Sequence, residues 1–186
     1  MKAKYKNSLR SKKLIMDAVI HLFIAKKDLN LISITDICRY TGLNRGTFYN
    51  HYNNIMDVID DIENSVVNDV WNLWPTNVES EEKYEVFFQR LAEYISSKES
   101  DLRVMAENTP VYLIETQKEK IIKKVEDYCL KNEVLIDFDK TYIRFIVNGF
   151  MISLLDYLRK ESDINIDDVL DNTKLIIDLL LKYKKA

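Results

Sequence analysis

The chain has 186 residues, of which 47% are hydrophobic and 31% are charged, a composition typical of a folded protein with a sizeable core. Its net charge of −3 is unevenly distributed, because residues 1–52 hold 10 basic and 3 acidic side chains whereas the remainder holds 17 and 27. Charges interrupt every long apolar run and the N-terminus is basic and polar, so we expect no membrane-spanning helix, no secretory signal and a cytoplasmic location.

The N-terminal part of the chain predicts a helix with one apolar face. The sequence contains only three glycines and two prolines, and no segment alternates apolar and polar residues long enough to predict a sheet. The first helix is predicted from Ser8 to Lys26. Its apolar positions recur at helical spacing and are Leu14, Ile15, Ala18, Leu22 and Phe23.

The next segment has the length and turn placement of a helix-turn-helix. Ser33 followed by Asp36 predicts a capping box, so a second helix is expected to begin near Ile34. Gly42 supplies the left-handed residue that ends this helix, and Asn44 is a good N-cap for a third helix over Arg45–Tyr52. The expected buried contacts of this unit are Ile37, Cys38, Leu43 and Phe48.

The rest of the chain predicts six further helices. Asn53 or Asn54 caps the fourth, which begins at Ile55 and continues until Pro75 stops it, and a polar connector covers 76–82. The later helices are predicted around Tyr84–Ile95 and Asp101–Glu107, from the N-cap Thr109 and Pro110 to Lys131, over Asp137–Lys160 and over Ile166–Lys184. The sequence therefore predicts an all-α fold, with a helix-turn-helix domain at 1–54 and a helical domain at 55–186.

The third helix has the side chains of a DNA recognition helix, whose first turn faces base edges in the major groove. Arg45 is the best candidate for base recognition, because its planar guanidinium can donate to O6 and N7 of guanine. Asn44, Thr47 and Asn50 are candidates for hydrogen bonds to bases or backbone, and Gly46 allows a close approach to the groove. Taken singly, each has a structural alternative as a solvated or capping residue, so the joint pattern supports the prediction.

The segment TDICRYTGLNRGTFYNHY, residues 35–52, closely resembles the second and third helices of the TetR family of bacterial transcriptional regulators. The segment IMDAVIHLF, from Ile15 to Phe23, resembles the family's first helix, so the similarity covers about residues 10 to 60. The resemblance implies that Tyr49 and His51 contact phosphates and that Tyr52 is buried. The candidate DNA-binding residues are Ser33, Thr35, Asn44, Arg45, Gly46, Thr47, Tyr49, Asn50, His51 and Asn54.

The chain departs from the family pattern in two places. Ile55 stands where family members commonly have a lysine that contacts phosphate, so this anchor is missing or is replaced by Asn53 or Asn54. The connection at 26–32 lacks the family's usual glycine and is one residue longer. A basic arm could compensate by contacting the backbone or the minor groove, or it is a disordered tail. Its basic residues are Lys2, Lys4, Lys6 and Arg10.

Two C-terminal helices are apolar over more than one face. The segment from Tyr142 to Leu158 is apolar around most of its circumference, and the last helix is similar. We expect both helices to pair with their copies in a four-helix homodimer interface, where Gly149 permits a close approach. A fully internal helix is the alternative. A dimer presents two recognition helices, so a palindromic DNA operator is the expected partner.

The resemblance also implies a ligand cavity in the C-terminal domain, for a small-molecule effector that the sequence does not identify. The candidate lining residues are Trp71, Trp74, Phe88 and Tyr112, although aromatic residues at helical spacing are usually ordinary core. The predicted function is that of a ligand-responsive repressor. The alternative is a protein of the same fold that acts mainly through a partner protein and binds DNA weakly.

Enzymatic activity is not expected. The chain has two histidines, His21 and His51, and two cysteines, Cys38 and Cys129, without the spacing of a metal site or a disulfide framework. No nucleophile elbow or phosphate-binding glycine loop is recognisable. We therefore predict no catalytic residue, no metal and no cofactor, and we expect both cysteines to be small core residues.

Overall fold

The computed structural model describes residues 2–75, 83–131 and 140–185, and it describes side chains between residues 7 and 180 of these ranges. Within them the longer elements are all helices, which confirms the predicted all-α class. They are α1 (Lys2–Lys26), α2 (Ile34–Thr41), α3 (Arg45–Tyr49), α4 (Ile55–Asn72), α5 (Lys83–Ser97), α6 (Glu99–Asn108), α7 (Val111–Lys131), α8 (Lys140–Arg159) and α9 (Ile166–Lys185). The predicted connector at 76–82 and the predicted start of α8 at Asp137 lie outside the described residues.

The chain divides into two compact units, Met1–Val66 and Val67–Ala186, and the boundary falls within α4. The core of the first unit is built from the apolar faces of α1 to α4. Its most deeply buried side chains are Ile15, Ala18, Val19, Ile37, Phe48 and Val58. Leu14, predicted to be part of the apolar face, is 39% exposed, because the buried face of α1 is centred on the positions of Ile15 and Val19.

Two helix ends in the first unit differ from the prediction. α1 begins at Lys2 rather than at Ser8, because the preceding residues include lysine and alanine, which favour helix, and no glycine or proline. The basic arm is therefore part of α1 and not the disordered tail that was the alternative, and the side chains of Lys2, Lys4 and Lys6 lie outside those described. α3 ends at Tyr49 rather than at Tyr52, and the chain then turns with a bond from the His51 N–H to the Phe48 carbonyl (2.9 Å).

The second unit is a helical bundle in which α8 packs against α6, α7 and α9, while α5 packs against α9 and α6. One core cluster joins α7 to α8 through Ile122, Cys129 and Val147, and another joins α5 to α9 through Leu91 and Leu170. Cys129 is therefore a core residue as predicted, whereas Cys38 is half-buried. None of the helices in the described part of the chain is long and apolar enough to cross a membrane.

Two arginines cap the ends of each other's helices in this bundle. Arg103 of α6 donates to the carbonyls of Tyr157 and Leu158 near the end of α8, at 2.9 and 2.7 Å. Arg159 of α8 donates to the Ala106 carbonyl in the last turn of α6, at 2.8 Å. These bonds satisfy carbonyls that a helix end leaves without partners. Thr109, predicted to cap α7, is instead the C-terminal cap of α6.

Candidate nucleic-acid interface

The start of α2 is fixed by the predicted capping box. The Ser33 hydroxyl accepts the Asp36 N–H (3.1 Å), and the Asp36 carboxylate accepts the Ser33 N–H (3.1 Å) and hydroxyl (2.7 Å). Lys26 at the end of α1 adds an ion pair to the same carboxylate at 2.9 Å. The hydrogen bond from Ser33, followed by that from Lys26, holds the pKa of Asp36 well below its usual range. The first turn of α2 is thereby attached to the end of α1.

The turn between α2 and α3 also has the predicted geometry. Gly42 has a φ of +71°, the left-handed conformation that glycine adopts without steric cost. Thr41 links the two sides of the turn, because its hydroxyl donates to the Ile37 carbonyl (2.8 Å) and accepts the Leu43 N–H (3.2 Å). Leu43, which was predicted to be buried, is half-buried.

Asn44 caps α3 as predicted. Its side-chain oxygen accepts the N–H of Thr47 at 2.7 Å and the Thr47 hydroxyl at 3.1 Å. Phe48 is 0% exposed and Tyr52 is 4% exposed, so both anchor this segment in the core. The burial of Tyr52 agrees with what the family resemblance implies.

The opposite side of α3 faces solvent with a set of polar groups. Asn44, Arg45, Gly46, Tyr49 and Asn50 are exposed, whereas Thr47 is half-buried. Tyr49 is held edge-on against Phe48, with ring centroids 5.6 Å apart, which leaves the tyrosine 54% exposed. His51, beyond the helix, is half-buried beside Tyr52. A short helix with this exposed donor set has the size and chemistry to enter a major groove.

Arg45 and Thr35 are brought together across the helix-turn-helix. The Nη2 group of Arg45 donates to the Thr35 hydroxyl at 2.6 Å, and both residues are exposed. Ser33, also a DNA-binding candidate, lies two residues before Thr35 at the cap of the same helix. The candidates at the start of α2 and the start of α3 therefore belong to one surface.

The start of α4 carries a carboxylate that the sequence reading did not single out. Asn54 accepts the Asp57 N–H at 3.1 Å, while the Asp57 carboxylate accepts the backbone N–H (2.8 Å) and side-chain amide (2.9 Å) of Asn53. The backbone bond from Asn53 lowers the pKa of Asp57, so the group is ionised at neutral pH. The Asn-Asn-x-x-Asp spacing was the available signal. A negative charge thus lies two residues from Ile55, the position at which the family resemblance implies a lysine.

α1 contacts both α4 and the segment between α3 and α4. Lys12 forms a 2.6 Å ion pair with Asp61 of α4, and its ammonium lies 5.7 Å from the centroid of the Tyr52 ring. Arg10 and Lys13 on either side are exposed. The part of α1 around Lys12 therefore lies beside the segment that follows α3.

The predicted ligand-binding residues do not all lie together. Trp71 and Trp74 belong to an aromatic cluster in which Trp74 contacts Tyr84, Phe87 and Tyr128 at centroid distances of 5.3, 5.4 and 5.3 Å. Burial raises the pKa of Tyr84 to about 12, so its hydroxyl stays neutral.

The two remaining ligand candidates differ in burial. Phe88 is buried and contacts the cluster through Phe87, at a centroid distance of 5.4 Å. Tyr112, by contrast, is 57% exposed. In the part of the chain that the structure describes, no three His, Cys, Asp or Glu side chains are grouped as a metal site would require.

α8 and α9 leave apolar side chains exposed in the single chain, so α8 is not an internal helix. On α8, Tyr142, Phe145 and Ile152 are 45%, 73% and 54% exposed. Gly149 continues the same row, and a Cβ atom at this position would meet no atom within 4 Å. The exposed apolar residues of α9 are Leu175, Ile176 and Leu179. We call these residues of α8 and α9 the apolar stripe.

The fold and the site together define an all-helical protein with an N-terminal helix-turn-helix and a C-terminal helical bundle. More specifically, the chain has the fold of the TetR-family transcriptional regulators. Two similar solved structures support this assignment. One is a TetR-family regulator from Syntrophomonas wolfei, with a TM-score of 0.66, 14% sequence identity, and coverage of 92% of this chain and 95% of that one.

Another similar structure is Thermus thermophilus FadR, a TetR-family repressor described in complex with lauroyl-CoA. Its TM-score is 0.56 and its sequence identity is 19%, with coverage of 89% of this chain and 93% of that one. No family model matches the chain, and no curated protein sequence matches it significantly. The likeness therefore lies in the backbone fold.

Proposed function

We propose that this protein is a cytoplasmic transcriptional regulator that binds a double-stranded DNA operator as a homodimer. Residues 1–54 act as the DNA-binding domain, and residues 55–186 act as the regulatory and dimerisation domain. The observation that supports this most directly is the exposed polar first turn of α3, which Asn44 caps and Phe48 anchors in the core. The basic N-terminal segment adds attraction for phosphates.

The exposed groups of α3 divide by chemistry into base and phosphate contacts. Arg45 offers paired donors suited to guanine, and Asn44 offers its amide nitrogen because its oxygen is engaged in the cap. Tyr49, Asn50 and His51 at the other end of the segment donate to phosphates and set the register of the helix on the duplex.

The apolar stripe is covered by a second copy of the chain. Tyr142, Phe145, Gly149 and Ile152 follow one another at spacings of three and four residues, the pattern of a helix-packing seam. Exposed apolar rows of this kind mark interaction surfaces, and a self-complementary one produces a symmetric dimer. Two recognition helices about 34 Å apart then contact successive major grooves, so the operator is palindromic.

A small-molecule effector relieves repression by binding in the C-terminal unit. The aromatic cluster around Trp74, with Trp71 and Phe88, supports an apolar ligand contact, and Thermus FadR provides a precedent for a ligand-bound protein of this fold. α4 runs from Ile55 to Asn72 without a break and belongs to both units. A change in packing around Trp71 therefore alters the position of α4 and the spacing of the recognition helices.

The test is selection of bound sites from random DNA, followed by fluorescence anisotropy at several salt concentrations. We expect a palindromic consensus and a binding constant that falls steeply with salt, because each phosphate contact contributes a slope of about −0.9. Arg45→Ala should weaken specific binding by about 1 to 3 kcal/mol and relax selectivity at one base pair of each half-site.

Lys123→Ala is the matched control, because it removes one exposed positive charge from α7 in the second unit. This variant should bind the selected site as the wild type does. Failure to enrich any sequence, with binding insensitive to salt, would rule out the proposed function.

A second candidate function is an interaction protein of this fold that binds DNA weakly. The observation that favours it is the Asp57 carboxylate at the start of α4, next to Ile55 in place of a basic residue. Weak, unselective DNA binding together with a stable complex of the acidic C-terminal unit with another protein would favour this alternative.

A further inference from the structure

One hydrogen bond joins the two helices of the helix-turn-helix on their exposed side. Thr35 is the second residue of α2 and Arg45 is the first residue of α3, and the Arg45 Nη2 donates to the Thr35 hydroxyl at 2.6 Å. Burial does not explain this contact, because both residues are exposed. It instead fixes the direction of a side chain that would otherwise sample many conformations.

The position of Thr35 is fixed by contacts other than its hydrogen bond with Arg45. The capping box of Ser33 and Asp36 encloses the first turn of α2, and Lys26 fastens that turn to α1. A β-branched side chain has few rotamers in a helix, so the Thr35 hydroxyl has a restricted position. Arg45 is likewise anchored by its backbone, because Asn44 caps the helix that it begins.

The bond leaves the recognition chemistry of the arginine available. A guanidinium has five N–H groups, and Nη2 carries two of them. When one is donated to Thr35, the second N–H of Nη2 and those of Nη1 still form a pair for the O6 and N7 atoms of guanine. The hydroxyl therefore orients the guanidinium without occupying its paired donors.

We infer that Thr35 is a positioning residue for base recognition: it orients the Arg45 guanidinium and so sets the selectivity at one base pair of each operator half-site. The inference rests on the proposed DNA-binding function. Thr35 acts through Arg45 and not by contacting phosphate, so its loss changes which base is preferred more than it changes overall attraction for DNA.

The experiment compares Thr35→Val, which keeps the shape and removes the hydroxyl, with Thr35→Ser, which keeps the hydroxyl. Both are made in the wild-type and the Arg45→Ala proteins, and circular dichroism verifies helicity. Discrimination at the base pair that Arg45→Ala relaxes should fall roughly tenfold in Thr35→Val, because a hydrogen bond to a charged group is lost. Thr35→Ser should stay within about twofold of the wild type. In the Arg45→Ala background, Thr35→Val should have no further effect.

Two outcomes would overturn the inference. The first is a Thr35→Val variant that loses affinity equally for all sequences, or whose effect adds to that of Arg45→Ala, because either result indicates a direct phosphate contact. The second is a Thr35→Val variant with unchanged selectivity. Both are distinguishable from failure of the proposed function, in which the wild-type protein itself selects no DNA sequence.

Discussion

Polar side chains on the proposed DNA surface also hold the helix-turn-helix in shape. The side-chain oxygens of Ser33, Asn44 and Asn54 each accept a backbone N–H in the first turn of a helix. An oxygen engaged in this way is not available to a base amino group, so Asn44 can offer DNA a donor and no acceptor. Capping and DNA contact are therefore compatible roles for the same residue, and they use different atoms of it.

Asp36 links the stability of the first unit to pH. The Ser33 hydroxyl and Lys26 lower the pKa of its carboxyl below the ordinary value of 3.8. A carboxyl with a lowered folded-state pKa stabilises the fold above its unfolded pKa, and this contribution is lost as the pH falls towards the folded pKa. The wild type should therefore be more stable than Asp36→Asn at pH 7, and the difference should shrink below about pH 4.

The measurement for Asp36 is urea denaturation between pH 7 and pH 3. Asp17→Asn is the control, because Asp17 is an exposed acid on α1 outside the capping box. It should follow the wild type at every pH. A difference between wild type and Asp36→Asn that stays constant across the range would contradict the assignment.

At the scale of the helices, local signals and tertiary packing determine different features. The starts of α2, α3 and α4 were predictable, because a cap and the N–H that it accepts lie three residues apart in sequence. The end of α3 was not, because it depends on Tyr52 turning into a core that α1 and α4 complete. The start of α1 at Lys2 was not predictable either, because no Ser, Thr, Asp or Asn precedes it in the sequence as a capping signal.

The aromatic cluster shows the same division. The sequence shows that the second unit is rich in aromatic residues. The rotation of α7 about its axis decides which of the tyrosines on that helix face the cluster. Tyr112 is exposed, whereas the neighbouring Leu113 and Ile114 are buried. Tyr128, which was not a candidate, lies about four helical turns after Ile114 on a similar face and contacts both tryptophans of the cluster. The phase of a helix is set by its partners, and the partners of α7 are distant in sequence.

The start of α4 supplies an element-scale prediction, because it combines an apolar residue with an ionised carboxylate. Ile55→Lys adds a cation at the helix start, next to the proposed phosphate contacts. We expect tighter operator binding and a salt slope steeper by about one unit, since one more counterion is released from DNA. The measurement is fluorescence anisotropy at 50 to 200 mM salt, a range over which such slopes are resolved.

Met56→Lys is the matched control for Ile55→Lys. Met56 is 45% exposed and lies one residue further along α4, about 100° around the helix, so it adds the same charge in a different direction. Its slope should change less than that of Ile55→Lys. Equal slopes in the two variants would show that net charge alone, and not a located phosphate contact, determines the salt dependence.

At the scale of the whole molecule, a single copy presents little surface to DNA. α3 has five residues, and few of its exposed side chains can reach base edges. Linking two such weak contacts raises the affinity by about 10² to 10⁴, because the second contact becomes intramolecular. Because α3 is short and the apolar stripe of α8 and α9 offers a surface for pairing, we expect operator binding by this chain to depend on dimer formation.

Phe145→Glu tests that dependence, because Phe145 is the most exposed residue of the stripe on α8, at 73%. A carboxylate there would be buried without a partner in the dimer but stays solvated in the single chain, so the fold is retained while pairing is lost. We expect a monomer by analytical ultracentrifugation, unchanged helicity, and operator affinity reduced about 100-fold or more.

Val111→Glu is the matched control. It places the same charge on an apolar residue of α7 that is 69% exposed and lies outside the stripe, so the variant should remain dimeric and bind the operator. A dimeric Phe145→Glu protein would show that another surface joins the two copies, whereas a monomer that retains full operator affinity would show that α3 binds DNA without pairing.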